Sequence, residues 1–472
     1  MPTFPFVGPA YTARSKAFDA QRCVNLYPEL SGSGTSRSVA MLVGTPGLLT
    51  WLTAGTGPIR GLFRFNSTVL IVVTGGQVYR VSTTGAATLL TGSIAYATTP
   101  VSMASNGSIV MMVTGGIEGY FIDPAGGTVA QITDADFLGG GNVGFLDGYF
   151  VWNVPGTGQF QYSQLYGTQI DALDFATAEG SPDNIIASIV NYREFWLFGE
   201  NSTEVWYNQG DSDNVFARIQ GAYMEVGCAA ANSVAKMDNT VFWLGADDRG
   251  QGIIYRATGY TPQRVSTHAI EFAIAGYATI SDAIGYTYQQ EGHSFYVLTF
   301  PTGNATWVYD AATDMWHERA WRSDDGLLNR HRSNCQATFA GLTLVGDWQT
   351  GAVYSMDLDV YSDAGAVIPR IRAAPYLTND DNTWQIYDAI EFDMQTGVGG
   401  TSGAVAVLQW SDDDAASWSD DVQLSLGLIG ETVRVRARRL GKSRARVFRL
   451  TITDSVKVAI ISATIMARRL NA

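Results

Sequence analysis

The sequence is poor in the residues that most metal and disulfide sites require. Its 472 residues include only three cysteines, four histidines and four lysines. Cys23, Cys228 and Cys335 are odd in number and widely spaced, which argues against a disulfide framework and predicts folding in a reducing cytoplasm. Neither the cysteines nor the histidines have the spacing of metal ligands, so we predict no metal site.

Long apolar runs are also missing. No run approaches the roughly 20 residues of a membrane-spanning helix, so we expect no membrane-spanning segment. The start lacks the basic region and apolar stretch of a secretion signal. A GxSxG elbow, a P-loop and a dinucleotide fingerprint are likewise missing, so we predict neither a cofactor nor catalytic residues.

What the sequence does contain is typical of a folded all-β protein. Apolar residues make up 46% and charged residues 16%, which indicates a substantial core. The apolar runs are short and rich in Val, Ile, Phe, Tyr and Trp, as strands prefer. Many of the 51 glycines separate these runs and predict turns.

One unit of two strands, a polar turn and glycine punctuation recurs between Phe65 and Asp363. Its copies are 40 to 53 residues apart and begin at Phe65, Ser105, Phe145, Asn191, Lys236, Gln289 and Thr338. Such a period is typical of β-propeller blades. We predict about seven blades over residues 59–363, with Ile59–Phe65 as the strand that closes the ring. The last two copies are the least regular, which leaves six or eight blades open.

The flanking regions differ from the repeats. Residues 1–58 carry isolated apolar anchors and predict an N-terminal arm or docking segment. Residues 364–472 contain longer alternating strands and predict a C-terminal antiparallel β-sandwich. Its expected strands are Thr383–Asp393, Ala404–Trp410, Thr432–Arg438, Arg444–Thr453 and Val456–Met466.

Charge is divided unevenly along the chain. The net charge is −14, but residues 431–472 hold eleven basic and two acidic side chains, a net +9. In Thr432–Arg438 the arginines alternate with apolar residues, which predicts a half-buried strand with a basic outer face. Six arginines of this stretch are candidate interface residues: Arg434, Arg436, Arg438, Arg439, Arg444 and Arg446. Ion pairing between subunits is our first interpretation, contact with nucleic acid phosphate the second, and solvation the third.

Ser411–Trp418 (SDDDAASW) resembles the Asp-box of sialidases, with Ala415 where glycine is usual. In that motif the aspartate accepts backbone N–H bonds within a hairpin turn and the tryptophan packs beneath it. The box lies outside the repeats here, so it predicts a structural turn and no glycosidase activity. The acidic triplet could also bind Ca²⁺, because hard cations prefer several oxygen ligands.

Three segments together resemble the tail nozzle proteins of short-tailed bacteriophages, also called packaged-DNA stabilisation proteins. They are Asp19–Glu29 (DAQRCVNLYPE) followed by GTPGL at residues 44–48, the propeller, and the sandwich with Gln409–Trp418 and its arginine-rich strands. The resemblance implies a non-enzymatic structural protein of the virion tail, made in the bacterial host cytoplasm. It also implies a hexameric ring below the portal and the head–tail adaptor protein, which continues the channel for double-stranded DNA. Such a ring would retain the packaged genome and guide its ejection, with a tailspike, fibre or needle bound below.

By analogy, Arg22, Asn25 and Tyr27 in the first of these segments are candidate docking residues toward the adaptor or neighbouring subunits. The acidic first 430 residues suit a channel through which DNA slides without sticking. The alternative function is a propeller that binds or cleaves host glycans for receptor recognition, since 12 Trp and 22 Tyr could supply sugar-binding faces. Those aromatic residues recur at blade positions, however, which also predicts core packing.

Overall fold

A computed structural model describes residues 3–32, 36, 38–211, 214–247, 249–378, 383–399 and 403–470 of the chain. These residues form a seven-bladed β-propeller and a β-sandwich, as the sequence predicts. The first six strands are divided between the two parts. The sandwich contains β1 Thr3–Phe4, β2 Tyr11–Thr12, β3 Ala20–Val24, β4 Leu26–Leu30 and β5 Ala40–Gly44, and the propeller contains β6 Gly47–Thr53.

The first three blades follow β6 as four-stranded antiparallel sheets. Blade 1 contains β7 Ile59–Arg64, β8 Val69–Thr74, β9 Gln77–Ser82 and β10 Ala87–Leu89. Blade 2 contains β11 Ser102–Ser105, β12 Val110–Val113, β13 Gly119–Asp123 and β14 Thr128–Gln131. Blade 3 contains β15 Val143–Leu146, β16 Tyr149–Asn153, β17 Gln159–Tyr162 and β18 Phe175–Thr177.

Blades 4 and 5 have the same four-stranded pattern and are separated by a short 3₁₀ helix, Ala231–Ser233. Blade 4 contains β19 Ile185–Asn191, β20 Glu194–Gly199, β21 Thr203–Asn208 and β22 Phe216–Met224. Blade 5 contains β23 Ala235–Met237, β24 Thr240–Ala246, β25 Gly252–Thr258 and β26 Thr261–Arg264. The helix α1, His268–Ala275, then leads to blade 6, and the Thr267 side chain caps its N-terminus.

Blades 6 and 7 adjoin the sandwich. Blade 6 contains β27 Ile284–Gln290, β28 His293–Phe300, β29 Ala305–Asp310 and β30 Met315–Glu318. A hairpin of β31 Ala320–Arg322 and β32 Leu328–Arg330 follows. Blade 7 contains β33 Ser333–Phe339, β34 Leu342–Asp347 and β35 Ala352–Asp357, and its fourth strand is β6.

Ring closure differs from our prediction. Ile59–Arg64 is the first strand of blade 1 rather than the closing strand. The ring is closed by β6, the strand just before it in sequence, which pairs antiparallel with β35 of blade 7. Leu48 and Leu52 of β6 are buried in two apolar clusters with residues of blade 7, in agreement with the apolar residues of this strand. Pairing of the first segment with the last blade leaves no free edge at the joint.

Adjacent blades pack through apolar side chains of their middle strands. Between blades 1 and 2, for example, Ile71 and Val73 meet Val110 and Met112 in one buried cluster. Glycines let the blades approach closely: a Cβ on Gly346 of blade 7 would lie 2.3 Å from Ile59 Cγ2 of blade 1. The blade interior is therefore filled core, as recurring aromatic residues predict.

The remaining strands build the sandwich, after a short hairpin of β36 Ser362–Asp363 and β37 Ala366–Val367 beside β6. They are β38 Arg370–Ala373, β39 Leu377–Thr378, β40 Gln385–Met394, β41 Val405–Ser411, β42 Val422–Ser425, β43 Val435–Arg438, β44 Lys442–Ser443, β45 Ala445–Ile452 and β46 Ala459–Arg469. One sheet has the order β4-β5-β46-β40-β43, and the other has the order β3-β38-β45-β41-β42. Their shared core includes Phe6, Leu26, Phe392 and Phe448.

The N-terminal segment is therefore not the separate arm that we expected. Strands β1, β4 and β5 complete one sandwich sheet, and β2 and β3 complete the other. Strand β3 also pairs in parallel with β30 at Val24 and Glu318, which joins the second sheet to blade 6. The boundary at residue 58 accordingly falls inside the propeller, since the propeller begins with Gly47.

Candidate functional site: the seam and the charged edge of the sandwich

The predicted docking residues of the N-terminal segment lie at the seam between propeller and sandwich. Arg22 forms a bidentate ion pair with Glu318 of blade 6, at 3.0 and 2.6 Å. Asn25 is buried, and its amide donates to the Ala320 and Pro369 carbonyls at 2.8 and 2.9 Å. Tyr27 is buried edge-on against His293 and Phe295. Asn25 and Tyr27 therefore face the interior of a single chain, which differs from our prediction of a docking role.

Two buried arginines of β38, Arg370 and Arg372, hold the N-terminal segment in place. Arg372 donates to the carbonyls of Phe6 and Pro9, at 2.7 and 2.8 Å, and to the Gln21 side chain at 2.6 Å. Arg370 packs on Gly44, where an added Cβ would lie only 2.8 Å from its Nε. The sequence contains a signal for this pair that we missed. In residues 368–372 (IPRIR) the two arginines are two residues apart in a strand, so their side chains lie on the same face.

Burial shifts several titrating groups at the seam. Burial raises the pKa of Asp363 to about 6, against the opposing effect of the Arg319 and Arg370 guanidiniums. Burial lowers the pKa of His317 to about 3, and neither ring nitrogen has a hydrogen-bond partner among the residues described. The His293 ring bonds the buried Asp310 carboxylate at 2.7 Å, which raises the pKa of that imidazole.

The predicted basic strand exists as β43, at the edge of the first sandwich sheet. Val435 and Ala437 are buried while Arg438 is exposed, in agreement with the alternation of the sequence. Arg434 pairs with Glu391 on β40 at 2.9 and 2.7 Å, and Arg436 lies beside the same carboxylate and donates to Met466 Sδ. Arg439 is exposed at the left-handed turn that follows, with φ 61°. These four arginines form a basic surface partly neutralised by one glutamate.

Arg444 and Arg446 have opposite environments although they are two residues apart. Arg446 is buried, bonds both Asp412 carboxylate oxygens at 2.7 Å, and lies over the Tyr387 ring. Its charge is satisfied within the chain, so its predicted role at a subunit interface does not fit this position. Arg444 is exposed and lies over the Trp384 ring, 5.3 Å from the ring centre.

Ser411–Trp418 forms the tight turn that its resemblance predicts. The Asp413 carboxylate accepts bonds from the Ser411 hydroxyl and from the Ser417 hydroxyl and N–H, which lowers its pKa to about 2. The neighbouring Asp412 binds Arg446 and Asp414 accepts from Tyr376, so the three carboxylates serve different partners. No group of three metal-ligating side chains is found in the part of the chain described here.

Other predicted features have equally specific positions. Cys23 and Cys228 are buried free thiols, and burial raises the pKa of Cys228 to about 11. Trp152, Trp243 and Trp316 are fully buried blade residues, so they belong to the core and not to a sugar-binding surface. Over the described ranges, no helix is both long and apolar enough to cross a membrane.

A β-propeller joined to a β-sandwich through a shared N-terminal segment is a two-domain, all-β architecture. A family described as bacteriophage P22 Gp10, beta-propeller, matches residues 3–361, and one described as bacteriophage P22 Gp10, beta-sandwich, matches residues 370–468. The chain belongs to this bacteriophage P22 Gp10 family and is a structural component of a phage tail. The propeller match includes the first strands of the sandwich, in keeping with their place in the fold.

Solved structures add only general similarity. The computationally designed Ika8 protein shares 12% identity at a TM-score of 0.40, over 65% of this chain and 99% of its own. The WD40 beta propeller domain of Doa1 also shares 12% identity at a TM-score of 0.40, over 66% of this chain and 97% of its own. No curated protein matches the sequence.

Proposed function

We propose that this chain forms a hexameric nozzle ring in the phage tail, below the portal and the head–tail adaptor. The ring continues the channel for double-stranded DNA, helps to retain the packaged genome and guides its ejection, with a tailspike, fibre or needle below. It acts without catalysis or a cofactor. The observation that carries the proposal is the family match over both domains in order.

The distribution of charge supports a ring. A closed ring of identical subunits requires two different complementary faces on each subunit. The chain carries an exposed basic surface at Arg434, Arg438 and Arg439 on an otherwise acidic protein, and unlike faces steer association. A net-negative body also disfavours binding of DNA phosphate, which suits a channel that DNA must traverse.

Cryo-electron microscopy of virions that contain this chain tests the proposal. We expect six copies in a ring around DNA density, between the adaptor and the lower tail proteins. A chain absent from the tail, or present as isolated copies at its periphery, would contradict the proposal. A glycan array with the purified chain tests the alternative function, and specific glycan binding would favour it.

Charge reversal tests the basic surface within that ring. Arg434→Glu, Arg436→Glu and Arg438→Glu together should reduce incorporation into particles, because they invert the charge of one candidate contact face. Arg64→Glu is a control for charge reversal on a different surface, since Arg64 is an exposed arginine on the propeller. Normal incorporation of the triple variant would exclude these arginines from the subunit contact.

A further inference from the structure

Two unlike surfaces lie at opposite ends of the long strand β40. The first, which we call the knob, consists of Trp384 just before β40 with the side chains of Lys442 and Arg444 above its ring. Trp384 is 41% exposed, a large fraction for a tryptophan. Exposed tryptophan and arginine are the residues that most often dominate binding energy at protein interfaces.

The second surface, which we call the groove, is a cavity of about 470 Å³ next to the other end of β40. Met41, Val43 and Ile461 supply apolar side chains, while Glu29, Glu291 and Asp359 supply carboxylates. Among the described residues, neither Glu29 nor Glu291 forms an ion pair, and two cations also line the groove, the exposed Lys457 and the buried Arg370. Three carboxylates against two cations leave an apolar groove with a weakly acidic border.

The two surfaces complement each other in charge and in apolar character. The knob offers two cations on an aromatic ring, and the groove offers carboxylates around flexible apolar side chains such as Met41. Neither knob cation forms an ion pair within the described part of the chain. Contact between them would desolvate the Trp384 ring and pair charges that are otherwise left to solvent.

The separation of the two surfaces prevents them from meeting within one chain. Strand β40 has ten residues, Gln385–Met394, and at roughly 3.3 Å per residue it spans about 30 Å. Met394 and Gln395 line the groove at its far end. A knob and a groove on different parts of the same subunit produce a head-to-tail contact, which closes into a ring when its rotation permits.

We propose that the knob of one copy of this chain binds the groove of the next copy. This inference rests on the proposed function and names the surfaces through which neighbouring subunits meet. The occupant of the groove is the Trp384, Lys442 and Arg444 cluster of a second copy.

Charge exchange between copies tests this pairing. One variant carries Lys442→Glu and Arg444→Glu, and the other carries Glu29→Lys and Glu291→Lys. Each alone should self-associate at least tenfold more weakly than the wild type in analytical ultracentrifugation. Mixed in equal amounts they should associate again, because each reversed surface then meets a surface of opposite charge. Arg64→Glu, with its charge reversed on the propeller, should behave as the wild type.

Cysteine cross-linking provides a second measurement. A chain with Lys442→Cys mixed with a chain with Glu291→Cys should form a disulfide-linked heterodimer under mild oxidation. The yield should be at least ten times that of the control, a mixture of chains with Lys16→Cys and with Glu291→Cys. Cys23 and Cys228 are buried, and both chains also carry Cys335→Ser, because Cys335 is partly exposed and could compete.

Three results would overturn the pairing. Both charge variants could self-associate as strongly as the wild type, or the mixed variants could fail to associate. The wild-type chain could also stay monomeric at about 100 μM, well above the Kd of a micromolar contact. A ring in virions together with normal association of both variants would reject this contact but leave the proposed function intact. A chain absent from the tail would reject the proposed function, whatever the solution measurements show.

Discussion

The propeller and the sandwich are both all-β, but they are assembled from the chain in different ways. Six of the seven blades are made of four consecutive strands, so each pairs residues that are near in sequence. The sandwich joins strands from residues 3–44 to strands from residues 370–469, across the whole propeller. The propeller can therefore form from local pairings, whereas the sandwich depends on contacts that close a loop of more than 300 residues.

Division of the chain should show the largest difference between the two parts. A fragment of residues 47–363 contains all seven blades and the closing strand, and we expect it to unfold cooperatively on heating. Residues 364–472 alone lack β1 to β5, so they would expose Phe392, Phe448 and their neighbours, and we expect them to remain unfolded. Circular dichroism measures both fragments. Addition of residues 1–46 should restore order to the second fragment, and a cooperative melt of residues 364–472 alone would contradict this view.

Replacement of one arginine in each part should sharpen the comparison. Arg372→Met removes three hydrogen bonds from a charged donor, to Phe6, Pro9 and Gln21, and leaves the buried Phe6 carbonyl unpaired, so the free energy of unfolding should fall by about 3–5 kcal/mol. Arg60→Met is the control within blade 1, where Arg60 binds the Thr99, Gly75 and Ala95 carbonyls. Denaturant titration gives the free energies.

Trypsin then separates a local effect from a distant one. Arg372→Met should expose the N-terminal segment to early cleavage at Arg14 and Arg22, while Arg60→Met should leave that segment protected. Equal protection of the segment in both variants would show that Arg372 does not hold it.

Acid should weaken the seam through His317. Its folded pKa of about 3 lies below the ordinary 6.5, so its contribution to stability is complete above pH 6.5 and is lost as pH falls toward 3. At pH 4.5 the loss is about 3 kcal/mol. His317→Leu should remove this part of the pH dependence of the melting temperature, because leucine does not titrate. The fold should tolerate the substitution, because the ring nitrogens have no hydrogen-bond partner to lose among the described residues.

Two features of the acid experiment identify the source of the effect. The exposed His268, changed to Gln, is the control for the loss of an imidazole away from the seam. Asp363 acts with the opposite sign, because its raised pKa of about 6 makes the folded protein gain stability as pH falls from about 6 toward 3.8. A His317→Leu profile parallel to that of the wild type would mean that other groups cause the acid sensitivity.

The smallest effect should come from the exposed pair of Arg434 and Glu391. Arg434→Ala should leave the denaturation midpoint unchanged within error, since solvent and salt screen such pairs. A clear loss of stability would show that this edge of the sandwich depends on its surface charges more than its exposure suggests.

The sequence by itself determined the blades and most of the sandwich strands. Alternation, turn residues and a period of 40 to 53 residues are local properties, so they identified seven repeats and placed Arg438 outward and Val435 inward. The Asp-box turn was also predictable, because its hydrogen bonds lie within seven residues.

Only the tertiary structure decided which strands meet across the chain. Nothing local distinguishes Gly47–Thr53 from Ile59–Arg64 as the closing strand, or identifies Asn25 and Tyr27 as buried at a seam. Nor does anything local distinguish Arg444 from Arg446. Of the two, only Arg446 pairs with a carboxylate within the described residues, that of Asp412, which is 34 residues away in sequence. Sequence patterns record which face of a strand is buried, whereas the partner that buries it depends on long-range pairing.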